Sequence, residues 1–206
     1  MLIHIHPDDP QARNIQTVVK CLKQGGIIIY PTDTIYGIGC DIYNVEAITR
    51  ICRIKGIDPK KAQFSFICSD LSHLSDYTKS VDTPVFRLLK KALPGPYTFI
   101  LDASKEVPKM LKAKKDTVGI RVPDNNICSA IVAELGHPLM SASLPMDGEV
   151  EYFTDPEMMH DRFEKLVDMV IDGGIGGIIP STVINCSEGA IELVRRGAGD
   201  WEGLIG

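Results

Sequence analysis

No apolar run in the 206 residues approaches the ~18–20 needed to cross a bilayer, so a membrane-spanning helix is excluded. The opening Met1-Leu2-Ile3-His4-Ile5-His6-Pro7 lacks a basic start and a long apolar stretch, which predicts no secretion signal. Positive charge is not in excess. Twenty-two basic against 27 acidic residues leave a net charge of −5, so any nucleic-acid contact must use a local patch. No two of the six cysteines (Cys21, Cys40, Cys52, Cys68, Cys128, Cys186) form C-x-x-C, and the five histidines are scattered, which argues against a metal site. Without a secretion signal the cysteines read as reduced thiols of a cytoplasmic protein, mostly small core residues. Internal repeats, low-complexity tracts and composition breaks are missing. So are a Ser-His-Asp order, a G-x-S-x-G elbow and a Walker A loop. Histidine-driven acid–base catalysis is therefore not expected. The chemistry falls to positioning and charge neutralisation.

The composition is that of an ordered globular chain, with 44% apolar and 24% charged residues. Area scaling gives a folded surface of about 9,500 Å², with about 70% of the chain's surface buried. Helices are expected from Pro10 to Gly25, where Ile15, Val18, Val19 and Leu22 share one face, and from Asn44 to about Ile54. Others are expected from Asp82 or Thr83 to Leu93, from Ser129 to Leu135, and from Asp155 onward with Phe163, Leu166, Val167 and Val170 inward. Strands are expected at Ile27–Tyr30, Phe64–Cys68, Tyr97–Leu101, Thr117–Val122, Leu139–Leu144, Ser181–Asn185 and Ile191–Arg195. Gly173-Gly174 and Gly176-Gly177 read as a flexible connection. Interleaved helices and strands predict one α/β domain with a mixed, largely buried sheet.

The densest segment is Tyr30-Pro31-Thr32-Asp33-Thr34-Ile35-Tyr36-Gly37-Ile38-Gly39. A strand ends in a hydroxyl-rich turn, two glycines allow close backbone approach, and ligands in open α/β sheets tend to sit at strand ends. A plain Pro-Thr-Asp turn fits the same residues. Arg50 and Arg53, at i,i+3 spacing, with Lys55 at the helix end, form either an anion site or a set of cations favoured by the helix dipole. Arg121, just before Pro123 at what reads as the sheet edge, fits a clamp for a carboxylate or phosphate. Ser141, Ser143, Ser181 and Thr182 are hydroxyls at strand ends, where such groups commonly satisfy backbone. Lys105, Lys109, Lys112, Lys114 and Lys115 form a basic run. It is either a solvated face or, with Arg50, Arg53, Lys60 and Lys61, one positive surface.

Seven segments in this order resemble the YrdC/YciO family and lie closest to its YciO branch. They are Pro31–Gly39, Arg53-Ile54-Lys55-Gly56, Pro94-Gly95-Pro96-Tyr97-Thr98, Arg121-Val122-Pro123, Pro138 to Gly148, Ser181-Thr182-Val183-Ile184 and Arg195-Arg196-Gly197-Ala198. The resemblance spans nearly the whole chain. It implies one YrdC-like domain over residues 1–206, a twisted mixed sheet with helices and a concave, positively charged face. It also implies binding of double-stranded RNA or tRNA. YrdC members make threonylcarbamoyl-AMP from L-threonine, bicarbonate and ATP for a tRNA modification beside the anticodon. In that chemistry the threonine amine takes up the bicarbonate carbon, and the resulting carbamate attacks the α-phosphate of ATP and releases pyrophosphate. No tightly bound cofactor is implied; ATP acts as substrate or ligand and brings Mg²⁺ with it.

Carried over by position, Lys55 and Arg121 are the catalytic candidates. Thr34, with Thr32 beside it, would hold threonine, and Lys55 the bicarbonate or the phosphates. Thr117 and Ser143 would lie against the nucleotide, Arg121 and Ser181 at the threonine carboxylate, and Arg195 at the adenylate. Arg50, Arg53, Lys60, Lys61, Lys109, Lys112, Lys114 and Lys115 are the RNA-binding candidates. The chain departs from the synthase pattern after Lys55, where Lys61 stands at an asparagine position, and at two further positions. Ile57 stands where the pattern has arginine, and Pro145 where it has asparagine. Losing two charge-assisted contacts, each worth ~1.5–3 kcal/mol, lowers the expected rate by about 10²–10⁴. The alternative from another class is a non-catalytic RNA-binding module, and a third is a small-molecule-binding regulator.

Overall fold

The computed structural model describes residues 1–59, 62–72, 74–112, 116–144 and 151–206. The expected sites Lys60, Lys61, Lys114, Lys115 and Pro145, and also His73, lie outside the described residues.

The chain runs β1 (Leu2–His4), α1 (Ala12–Lys23), β2 (Ile28–Tyr30), β3 (Gly37–Asp41), α2 (Val45–Ile54), β4 (Ser65–Ile67), α3 (Leu74–Tyr77), α4 (Thr83–Ala92) and β5 (Tyr97–Asp102). It continues through β6 (Thr117–Arg121), α5 (Asn126–Leu135), β7 (Leu139–Ser143), α6 (Glu151–Thr154), α7 (Pro156–Phe163), β8 (Met169–Asp172), β9 (Thr182–Asn185), β10 (Glu192–Arg195) and α8 (Trp201–Ile205). The strands form one mixed, twisted sheet in the order β1-β8-β2-β3-β7-β4-β6-β5-β9-β10. Local chemistry sets several boundaries. The Asn44, Asp82, Asn125 and Asp155 carboxyl or amide oxygens accept backbone N–H groups in the first turns of α2, α4, α5 and α7. No helix among the described residues is long and apolar enough to cross a membrane.

The two faces of the sheet differ, and the difference makes the site. One face carries Ile29, Ile38, Phe66, Phe99, Val118, Ile120, Met140 and Ile184 into the larger core, packed by α2, α3, α4, α7 and α8. The other face is apolar only at one end, where Ile28, Tyr30, Ile67, Leu139, Met169 and Ile171 lie under α1 and α5. Beyond them the strands still alternate, but the outward positions become Ser65, Thr98, Thr117, Gly119, Ser141 and Ser181.

Several expectations need correction. The helix opening at Asp155-Pro156 ends at Phe163; Val170 belongs to β8, between β1 and β2, and Leu166 is exposed. A short apolar run buried on both faces carries no period that separates strand from helix. Gly37–Asp41, read as part of a turn, is strand β3. Gly173–Gly177 is not a loose connection: Tyr36 Oη donates to Gly174 O at 2.7 Å, and the Gly176 and Gly177 N–H groups donate to Thr154 O and Thr34 O. Arg121 sits not at the sheet edge but at the end of interior strand β6, flanked by β4 and β5.

Candidate active site

The polar part of the second face floors a cavity of about 210 Å³. Register makes its shape: Gly39, Ser141, Ser65, Gly119 and Ile100 lie side by side on β3, β7, β4, β6 and β5. Small side chains in one row leave a trough across the strands. Gly119 is needed in it, because a Cβ there would come within 2.8 Å of Ser65 Oγ. The walls bring in Arg121, Ser143, Ser181 and Arg195.

Arg121 is the best-held charge. Its Nη2 donates to Asp33 Oδ1 at 2.9 Å and to Thr34 Oγ1 at 3.0 Å, and the Arg121 and Asp33 side chains are 10% and 9% exposed. The second Asp33 oxygen accepts the Asp124 N–H at 3.2 Å. Burial pushes the Asp33 carboxyl above its usual value, against the opposing pull of Arg121 and Asp124. Arg121 Nε is buried with no hydrogen-bond partner.

Arg195 approaches the same cavity from β10. Its Nη2 donates to Ser181 O at 2.8 Å, while Ser181 Oγ and Thr98 Oγ1 share a hydrogen bond of 2.8 Å. Burial and the nearby Arg121 charge press Arg195 below its ordinary value. Two guanidinium groups at one hydroxyl-lined cavity make an anion-receptive site. Lys55, the C-cap of α2, donates from Nζ to Ser143 O, and burial lowers its ammonium from the usual lysine value.

The structure therefore places Thr117, Arg121, Ser143, Ser181 and Arg195 on the cavity wall. Thr34 reaches the cavity through Arg121, and Lys55 through the Ser143 carbonyl. Thr32 instead organises its own turn, donating to Ile35 O at 2.7 Å and accepting the Thr34 N–H. Among the described residues, the RNA candidates Arg50, Arg53, Lys109 and Lys112 do not line the cavity. Arg53 and Lys109 are exposed and Lys112 half-buried. Arg50 is paired with Asp168 at 3.1 Å beside Gly25. Sequence reasoning gave no site role to Asp33, Thr98 and Ser141, named only within a turn, a motif and a strand end, and did not reach Ser65. The only signal for the last three was alternation along strands whose covered face was not yet known.

The two glycines of β3 also change meaning. On the site face, Cβ atoms at Gly37 and Gly39 would each stand 3.0 Å from the Tyr30 ring. The space they leave is filled by Tyr30 and is not open to a ligand. Tyr30 thereby reaches from β2 across β3, and its hydroxyl donates to Ser141 Oγ on β7.

Residues 20–197 match the Sua5/YciO/YrdC family model, described as "Telomere recombination". The chain is 46% identical over 198 residues to the uncharacterized protein YciO of Escherichia coli K12, covering 96% of this chain and 95% of that one. It superposes on the crystal structure of E. coli YciO with a TM-score of 0.90, 45% identity and 97% of each chain covered. A threonylcarbamoyl-AMP synthase of Coxiella burnetii is 32% identical over 168 residues, covering 82% of this chain and 89% of that one. P. abyssi Sua5 complexed with L-threonine shares the fold, with a TM-score of 0.88 at 24% identity. That match covers all of this chain but 61% of that one. By the family match and these identities, the chain belongs to the Sua5/YciO/YrdC family.

Proposed function

We propose that the cavity binds L-threonine and an adenine nucleotide and forms L-threonylcarbamoyl-AMP from L-threonine, bicarbonate and ATP, slowly, in support of tRNA modification. The observation that carries this reading is the convergence of Arg121 and Arg195 on one hydroxyl-floored cavity. Family membership and the named activity of the Coxiella relative support it. In this reading Arg121, braced by Asp33, takes the threonine carboxylate, and Arg195 with Ser181 takes the adenylate phosphate. The floor hydroxyls hold the remaining oxygens in place of water. Magnesium accompanies the nucleotide phosphates in this reading, as in other phosphoryl-transfer chemistry.

The test is pyrophosphate release with ATP, bicarbonate and each amino acid in turn. Release that needs both threonine and bicarbonate is expected, about 10²–10⁴ below a full synthase from two missing contacts. Release that ignores threonine overturns the reading. Arg195→Ala should weaken ATP binding about tenfold or more, the worth of one charge-assisted contact, with an unchanged melting temperature. Equal ATP affinity in calorimetry would remove Arg195 from the nucleotide site.

RNA is the proposed macromolecular partner, held by exposed cations such as Arg53 and Lys109. Its affinity should fall with salt by a log–log slope of about −0.7 to −0.9 per phosphate contacted. A flat dependence between low and physiological salt would count against it.

A further inference from the structure

The hydrogen bond between Tyr30 and Ser141 has one chemically consistent direction. Tyr30 is fully buried, and its phenol proton has no acceptor other than Ser141 Oγ among the described residues. Were Ser141 the donor, the phenol proton would be buried without a partner, at a cost comparable to a lost hydrogen bond. Burial also pushes the Tyr30 phenol far up, so it stays a neutral donor across the working pH range. Ser141 Oγ therefore accepts from below. Its own proton has no recorded acceptor among the described protein groups, and the residue lines the cavity.

Structural expense confirms that the arrangement is built. Two successive outward positions of β3 are glycine, and a Cβ at either would stand 3.0 Å from the Tyr30 ring, tighter than ordinary contact; at Gly39 it would also come within 2.5 Å of Met140 O. The ring crosses β3 through the space these two positions leave and reaches Ser141. Ser141 in turn sits beside Ser65, with Gly119 next in the row and Arg121 farther along β6.

We propose that Tyr30 and Ser141 form a donor relay in which the Ser141 hydroxyl, oriented by Tyr30, hydrogen-bonds an anionic oxygen of the bound ligand. Ser141 is then a ligand-binding residue and Tyr30 a positioning residue that acts only through it. The proposal rests on the cavity being the ligand site. The shared chemistry is an oxyanion, which either a carboxylate or a phosphate supplies, so L-threonine and ATP are titrated separately.

The experiment is a double-mutant cycle on the full chain: wild type, Ser141→Ala, Tyr30→Phe and the double variant, each with L-threonine and with ATP by calorimetry, alongside thermal melts. Ser141→Ala should weaken one of the two probes about tenfold or more, the worth of one hydrogen bond to a charged group, and the affected probe names the oxyanion. Tyr30→Phe should weaken the same probe by a smaller factor. The double variant should bind no worse than Ser141→Ala, because without the serine hydroxyl nothing is left to orient. A merely structural tyrosine would give additive losses. Additivity, or Ser141→Ala binding both probes as tightly as wild type, overturns the relay while leaving the cavity a ligand site. Wild type binding neither probe overturns the ligand reading itself, and the relay's role with it. Should Ser141→Ala melt early, Tyr30→Phe reads the same relay from its buried end.

Discussion

Replacing Arg121 with methionine should cost about 3–5 kcal/mol of stability and abolish threonine binding. Asp33 would be left 9% exposed as a side chain, with its carboxylate held by backbone N–H groups, that of Asp124 among them, and by no cation. Removing one partner of a buried ion pair is far more damaging than removing both. At about 2–4 °C per kcal/mol for a chain of this size, the melting temperature should fall by roughly 6–20 °C. Asp33→Asn combined with Arg121→Met should recover much of that fall, since no unpaired charge remains, yet ligand binding should stay lost. The sign of the pH dependence is fixed by Asp33. Burial already raises its carboxyl, and without Arg121 the largest opposing influence is gone. A group protonated more readily in the folded state costs stability as the pH rises through its folded value. The Arg121→Met deficit should therefore shrink in acid and be full at neutral pH. A single variant that melts within about 2 °C of wild type would mean that the pair is not held as described.

How much of this was legible in the sequence depends on how far apart the determining residues lie. Helix α1 was readable because Ile15, Val18, Val19 and Leu22 recur on one face, and all four are buried. Helices α2 and α4 were readable because Asn44 and Asp82 announce their starts within three residues. Strand β8 was not, because its apolar run takes its conformation from β1 and β2, which flank it in space and are remote in sequence. The site divides in the same way. Arg121, Ser181 and Arg195 stood out as polar groups inside short ordered motifs. Asp33 looked like turn chemistry, since nothing local reveals a partner 88 residues away. Ser65, Thr98 and Ser141 are ordinary strand hydroxyls until it is known which part of the sheet α1 and α5 leave uncovered. The two glycines of β3 signalled a close approach but not the Tyr30 ring that makes it, because a glycine registers a close approach without naming what approaches.

The second large effect concerns two of the departures from the synthase pattern. Lys55 Nζ donates to Ser143 O, so the segment after α2 and the end of β7 meet at one end of the cavity. Ile57 and Pro145 each follow one of these bonded residues by two positions. The absence of the arginine and the amide withdraws one charge and one polar group from the synthase pattern. Isoleucine cannot neutralise developing phosphate charge, and proline offers neither a side-chain amide nor a backbone donor. Ile57→Arg with Pro145→Asn should therefore raise threonine- and bicarbonate-dependent pyrophosphate release, by about 10² or more if each contact returns ~1.5–3 kcal/mol. Two features resist the change. Ile57 is half-buried against the larger core, with its N–H donating to Cys52 O at 3.0 Å, so an arginine there gives up apolar contact. Asp58 stands next to it and competes for the new charge. Each single variant should raise release by less than the double variant does. A folded double variant that binds ATP yet releases pyrophosphate no faster than wild type would move the bottleneck elsewhere. The retained Arg121, Ser181 and Arg195 would then point to a different carboxylate substrate for the same cavity.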